Sequence, residues 1–195
     1  MMEIKPDFFG SEKVTELAQQ LLGMELWVDG LHGQRRGIIT ETEAYAGVTD
    51  RASHAFGHRR TKRNETMYGE GGHLYMYRCY GIHWMLNVVT AGAGIPHAIL
   101  IRGLKPMDPV GEWATVARGP GKLTHWLGID GSFNGEPIGA GRFALKQGSN
   151  ISAFIESSAR IGIAYAGEDA HLPYRFYLKG EASVSRPLQP IYPKK

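Results

Sequence analysis

Two runs of aromatic and β-branched residues, His73 to Cys79 and Ile82 to Thr90, are separated by Tyr80-Gly81 alone. A gap that short, with glycine in it, joins two strands as an antiparallel hairpin and leaves Tyr80 at the exposed tip. Further strands are expected at Met24 to Val28, Arg36 to Tyr45, Ala98 to Arg102, Phe143 to Leu145, Arg160 to Ala164 and Arg175 to Leu178. The first two of these flank the turn-rich Asp29 to Gln34. Helical spacing of apolar residues predicts a helix over Ser11 to Leu22, with Ser11 as N-cap and Gly23 just past the end. Val110 to Ala117 and Gly121 to Leu127 read as short helices, and Asp50 to Phe56 as a helical turn or two. Strands are grouped rather than alternating with helices, and 26 glycines supply tight turns. The expected fold is therefore α+β: one domain over residues 1–195, a mixed, mainly antiparallel sheet with flanking helices and a protruding hairpin. A chain of 195 residues, 43% hydrophobic, is long enough to bury one sizeable core.

The formal net charge is only +3, so useful basicity is local. One cysteine, Cys79, leaves no internal disulfide and no CxxC zinc motif. No apolar run has the length of a membrane span, and the start of the chain lacks a signal-type apolar segment. A cytoplasmic, untargeted protein without membrane association is expected. His54, His73, His83 and His97 lack HExxH or comparable ligand spacing, and no GxSxG occurs, so neither a metal nor a serine nucleophile is expected. Gly119-Pro120-Gly121-Lys122 lacks Walker spacing; it reads as a helix start whose amides and Lys122 could hold one phosphate.

If Arg36 to Tyr45 is extended, Ile39, Glu41, Glu43 and Tyr45 share one face, and Ile38, Thr40, Thr42 and Ala44 the other. The two carboxylates then lie about 7 Å apart beside an aromatic ring. An isolated Glu-x-Glu is more often a solvated sheet face. Position favours a site, because a carboxylate near a strand end before a polar loop is where sites are built. The basic run His58-Arg59-Arg60-Thr61-Lys62-Arg63-Asn64 is either a charged surface loop or an arm for a polyanion, since clustered arginine and lysine match phosphate. Thr61, Asn64 and Thr66 can add neutral phosphate contacts. In the hairpin, Tyr75, Tyr77 and Cys79 face one side, and His83, Met85 and Asn87 can continue that face. Such rows are often half-buried packing. An aromatic at the tip is covered by nothing in the hairpin, and resembles the wedges that unstack a base step at a cost of roughly a few kcal/mol.

Taken together, Glu41-Thr42-Glu43-Ala44-Tyr45, His54, Thr61-x-Arg63-Asn64, Leu74-Tyr75-x-Tyr77-x-x-Tyr80-Gly81, Asn87 and Leu100-Ile101-Arg102 closely resemble the alkyladenine (3-methyladenine) DNA glycosylase family. The match continues through Gly119 to Leu123 and Arg160-Ile161-Gly162 to Arg175-Phe176-Tyr177. The resemblance implies monofunctional hydrolysis of the N-glycosidic bond of alkylated or deaminated purines in double-stranded DNA, by a monomer with no cofactor. It implies that Glu43 activates a water, helped by Arg102 and the main-chain carbonyl of Ile161. Tyr45, His54 and Tyr77 would sandwich the extruded base, with the His54 amide on its edge. Asn87 would penalise normal guanine, and Tyr80 would fill the gap in the duplex. Arg59, Thr61, Arg63 and Lys122 would meet the DNA backbone.

The chain departs from mammalian members of that family in three places. Their extended N-terminal arm has no counterpart here, so docking through it is not expected. Gly131 stands where they carry a lysine, and Ile82 and His83 flank the wedge where some relatives carry bulkier groups. On the residues alone, a non-catalytic sensor of distorted nucleic acid and a hydrolase of small nucleosides remain alternatives. The second would leave residues 58–63 and Tyr80 idle.

Overall fold

Strand β2, Gly33–Tyr45, is thirteen residues long and supports neighbours on both edges. Along one edge it pairs with β5, His97–Pro106. Along the other, its first half pairs with β1, Glu25–Gly30, and its last part with β8, Arg175–Leu178. The computed structural model describes residues 2–108, 115–148 and 154–185. Adding β3 (Leu74–Cys79), β4 (His83–Thr90) and β6 (Phe143–Lys146), the main order is β3-β4-β5-β2-β1-β6, while β7 (Ile155–Ser158) pairs with β8. Every strand pairing among the described residues is antiparallel. The α+β expectation holds.

Alternation in the strands sorts two cores. Leu74, Met76, Leu86, Val88, Ile99 and Ile101 join a large cluster with helices α1 (Val14–Gln20) and α2 (Pro120–Leu127). Tyr75, Val89 and Ala98 point the other way, beneath a layer of short 3-10 turns that contributes Ala55, Met67 and Tyr68. The helix side holds the larger hydrophobic cluster; the loop side carries the buried Glu43, Asn87 and Arg102 beside the smaller one.

The simple alternation expected for β2 breaks at Thr40. Ile39 pairs with Leu104, Glu41 with Gly103 and Thr42 with Ile101, so Thr40 and Arg102 are each an extra residue in their own strand. Bulges of this kind reverse which face the following residues present. Ile39 and Ala44 consequently both lie in the helix-side core, and Thr42 donates to the Ala18 carbonyl of α1. Ile39 thus does not share a face with Glu41, Glu43 and Tyr45. Gly103 is needed at this point, since a Cβ there would come within 2.7 Å of the Ser183 carbonyl.

Other boundaries shift for local reasons. The first helix is confined to Val14–Gln20: Ser11 caps Lys13 before it begins, and the chain leaves at Leu21 to place Gly23 against Ile39. β1 and β2 extend to Gly30 and Gly33, so only Leu31 and His32 turn between them. Within Asp50 to Phe56 the chain forms turns, with 3-10 segments at Gly47–Thr49 and Phe56–His58. The expected helix over Val110 to Ala117 falls mostly outside the described residues, and 115–117 are turn. Arg160 to Ala164 is not a strand. Gly162 has φ 78°, and the chain passes into a 3-10 segment, Ala164–His171.

Candidate active site

One transverse row of the sheet assembles the site. Tyr75, Asn87, Leu100 and Glu43 are successive cross-strand partners, and Arg175 continues the row on β8. Partners in an antiparallel ladder share a face, so Tyr75 and Glu43 stand three strand spacings apart, about 14 Å, on the loop side. The hairpin register has fixed this, pairing Tyr75 with Asn87, Tyr77 with Met85 and Cys79 with His83.

Glu43 is fully buried, which excludes the solvated-face reading. Its Oε1 accepts from the Ile161 amide at 2.7 Å, and its Oε2 accepts from the Tyr45 hydroxyl at 2.8 Å and from Arg102 Nη1 at 3.2 Å. Ile161 therefore reaches Glu43 through its N–H. Arg102 also donates through Nε to Glu41 at 2.9 Å, so one guanidinium bridges both carboxylates. Burial pulls its pKa down, and Glu43 and Glu41 more than reverse this. Besides Arg102, Glu41 accepts from Arg175 Nε at 2.7 Å and from both the amide and hydroxyl of Ser185. It is a saturated structural acceptor, whereas a carboxylate offers about four acceptor positions and three donors to Glu43 leave room for one more.

Three further aromatic side chains cluster on the loop side of the sheet. His54 and Tyr77 meet edge to face with centroids 4.5 Å apart, and His54 Nδ1 lies 2.8 Å from the Tyr75 hydroxyl. At that separation His54 and Tyr77 are in contact and form one surface. Burial pushes the Tyr45 phenol well above its ordinary pKa, and the Glu43 charge adds to this; burial likewise raises Tyr75 and Tyr77. The His54 imidazole is lowered by burial and then by Arg63 and Arg59, which favours its neutral form at pH 7. Asn87 is buried, with Nδ2 donating to the Tyr75 carbonyl at 3.0 Å.

Tyr80 occupies the hairpin tip, 92% exposed, with φ 51°. Ile82 joins the turn, whose closing bond runs from Ile82 N–H to the Cys79 carbonyl. A tyrosine in the left-handed region costs about 1–2 kcal/mol that glycine would not, so packing does not explain its presence there.

The basic loop is less free than its composition suggests. Arg60 pairs with Glu65 and lies over the Tyr68 ring, and Arg63 donates to the Arg78 carbonyl while lying 5.8 Å from the Tyr77 ring centroid. Asn64 is buried; it holds the His54 and Arg59 carbonyls and accepts from the Thr61 amide and hydroxyl. Thr66 accepts from Asn134. Asn64 is thus a brace of the loop and not one of its phosphate contacts. Arg59 and Lys62 are exposed. Lys122 is exposed on α2, across a cleft bordered by Ile82, His83, Trp84 and His125. At Gly131 a Cβ would come within 2.5 Å of the Trp84 ring, which accounts for glycine there.

The pairing of Asp50 with Arg160 escaped the sequence reading. Arg160 forms a buried bidentate pair with Asp50, donates to the Ala44 carbonyl at 2.9 Å and lies 4.8 Å from the Tyr45 ring centroid. The aspartate lies 110 residues away in sequence, with no local motif to signal it. Among the described residues, no three His, Cys, Asp or Glu side chains converge as a metal site would require.

Residues 7–182 match the family described as Methylpurine-DNA glycosylase (MPG). Curated proteins named "Putative 3-methyladenine DNA glycosylase" are similar over nearly their whole length. The one from Chlamydia pneumoniae is 41% identical over 191 residues, covering 92% of this chain and 97% of its own. The one from Borreliella burgdorferi (strain B31) is 46% identical over 185 residues, covering 92% and 98%. The one from Bacillus cereus (strain G9842) is 38% identical over 207 residues, covering 95% and 100%. The chain belongs to the methylpurine-DNA glycosylase family.

Proposed function

We propose that this family member is a DNA glycosylase that extrudes alkylated or deaminated purines from duplex DNA and hydrolyses their N-glycosidic bond with a water activated by Glu43. The observation that carries the reading is the buried Glu43 carboxylate, oriented by Tyr45, Arg102 and the Ile161 amide on the sheet face that also carries Tyr75 and Tyr77. A base within a duplex hides its glycosidic carbon, so the nucleotide must leave the stack, at least cost where it already pairs badly.

Tyr45 on one side and His54 with Tyr77 on the other give the extruded purine two stacking surfaces. N-alkylated purines carry positive charge, which weakens the bond to the sugar and favours aromatic faces. As that bond breaks, Glu43 stabilises oxocarbenium character at the sugar and takes the proton of the attacking water. The Ile161 carbonyl and Arg102 are assigned to holding that water. The His54 amide, which has no acceptor among the described residues, is assigned to the purine edge. Asn87, braced on the neighbouring strand, meets the position of a guanine amino group and disfavours it. Tyr80 enters the space vacated in the duplex, while Arg59, Thr61, Arg63 and Lys122 serve the phosphates. Arg63 does so from a position already tied to the hairpin.

The test is Glu43→Gln. Release of free base from alkylated duplex should be abolished while binding to the same duplex is kept; a variant that still releases base at the wild-type rate ends the assignment.

A further inference from the structure

We propose that Asp50 and Arg160 form a charge-balancing pair behind Tyr45 that sets the preference between cationic and neutral purines, without either residue contacting the base. The inference rests on the pocket assignment above. The guanidinium lies over one face of Tyr45, 4.8 Å from its centroid, and 5.3 Å from that of Tyr174. A stacked purine has the other face of Tyr45. The phenol ring is then shared between a permanent cation behind and a base that is cationic when alkylated and neutral when deaminated.

Alone, the guanidinium would draw on the same π density and repel a cationic base through the ring. Asp50 prevents that. The side chains of the pair are 0% and 1% exposed, and Asp50 is the one carboxylate paired with Arg160 among the described residues. Asp50 is itself fixed by the Ala46 and Ala52 amides at 3.0 and 2.9 Å. The guanidinium is anchored further by the Ala44 and Asp169 carbonyls. Removed from solvent, these charges are little screened, so each is felt across the ring and their sum is close to zero. Deleting one should bias the pocket in one direction, and deleting the other should bias it oppositely. A purely structural pair would lower the release of every lesion in the same proportion.

The experiment compares kcat/KM for release of 7-methylguanine, which is cationic in DNA, and hypoxanthine, which is neutral, from one duplex sequence. Asp50→Asn should lower the cationic-to-neutral ratio about fivefold, and Arg160→Gln should raise it by a similar factor. The double variant should return it near the wild-type value. Arg160→Lys keeps the charge, so it should keep the ratio even where the absolute rate falls; it serves as the test should Arg160→Gln not fold. Where one lesion is released too slowly to time, the ratio is read from equilibrium binding of the two duplexes. A ratio that is unchanged, or that moves the same way in both single variants, overturns the proposal, as does a changed ratio in Arg160→Lys. A wild-type protein that releases neither base overturns the glycosylase reading instead.

Discussion

The Tyr45 hydroxyl donates to Glu43 Oε2 across 2.8 Å, from two residues further along the same strand. The side chain proposed to stack on the base therefore also orients the carboxylate. Its raised pKa keeps the phenol a donor at neutral pH. Tyr45→Phe preserves the ring and deletes that donor. Single-turnover base release should slow about tenfold, the scale of one charge-assisted hydrogen bond, with lesion-duplex affinity changed less than about threefold. Unchanged turnover with weakened binding would show that the hydroxyl serves base stacking alone.

Glu41 differs from its neighbour two residues on. Glu41→Gln would leave Arg102 and Arg175 buried without a full counter-charge. Urea unfolding should report a loss of about 3–5 kcal/mol, the scale of an uncompensated buried ion. A loss below about 1 kcal/mol would mean that the guanidiniums find other partners.

Tyr80→Gly separates stability from function at the hairpin tip. Glycine suits the positive φ, so stability should hold or rise by up to about 1 kcal/mol. Lesion-duplex affinity should fall more than affinity for undamaged duplex, since only the extruded state leaves a gap to fill. Equal losses on both duplexes would remove the wedge role.

The lowered pKa of His54 carries a defined sign. Near neutral pH the imidazole is neutral in both folded and unfolded chains. As pH falls below the unfolded value, about 6.5, the unfolded chain takes up the proton first, so stability declines with falling pH. NMR titration should place the His54 midpoint below 6.5, and Arg63→Gln should move it upward. A midpoint unaffected by Arg63→Gln would leave burial and Arg59 as the causes.

Within the basic loop, Arg59 and Arg60 should differ although they are adjacent. Arg59→Ala should reduce the slope of log affinity against log salt by about one, the signature of a lost phosphate contact. Arg60→Ala should change it less, because Glu65 already pairs with that guanidinium. Equal slopes would show that the Glu65 pair opens on binding DNA.

Much of this site could be read from the chain because strands declare themselves locally. The hairpin, its tip and the face shared by Tyr75, Tyr77 and Asn87 followed from two-residue alternation and one glycine. The position of Glu43 beside Tyr45 did so as well. What escaped was long-range or broke the alternation. Thr40 displaces Ile39 to the opposite face, a change that depends on its partner strand. The Asp50–Arg160 pair joins a turn to a loop 110 residues later, and Arg160 to Ala164 resembled a strand because Ile161 and Ile163 alternate with Gly162, although only Ile163 packs with Ala52. The charge run at 58–63 overstated its freedom, since Arg60, Arg63 and Asn64 are engaged within the protein.

The surplus residues Thr40 and Arg102 fall on successive sides of the Glu41–Gly103 pair, one in each strand, so their offsets cancel. A deletion of either alone would slide the rest of its strand by one place and turn Glu43 or Leu100 toward the helices. Loss of both together would restore the pairing but straighten the frame that aims the carboxylate. Substitutions can therefore tune the surroundings of Glu43 one side chain at a time, while its location is locked to the spacing of two strands that must change in concert.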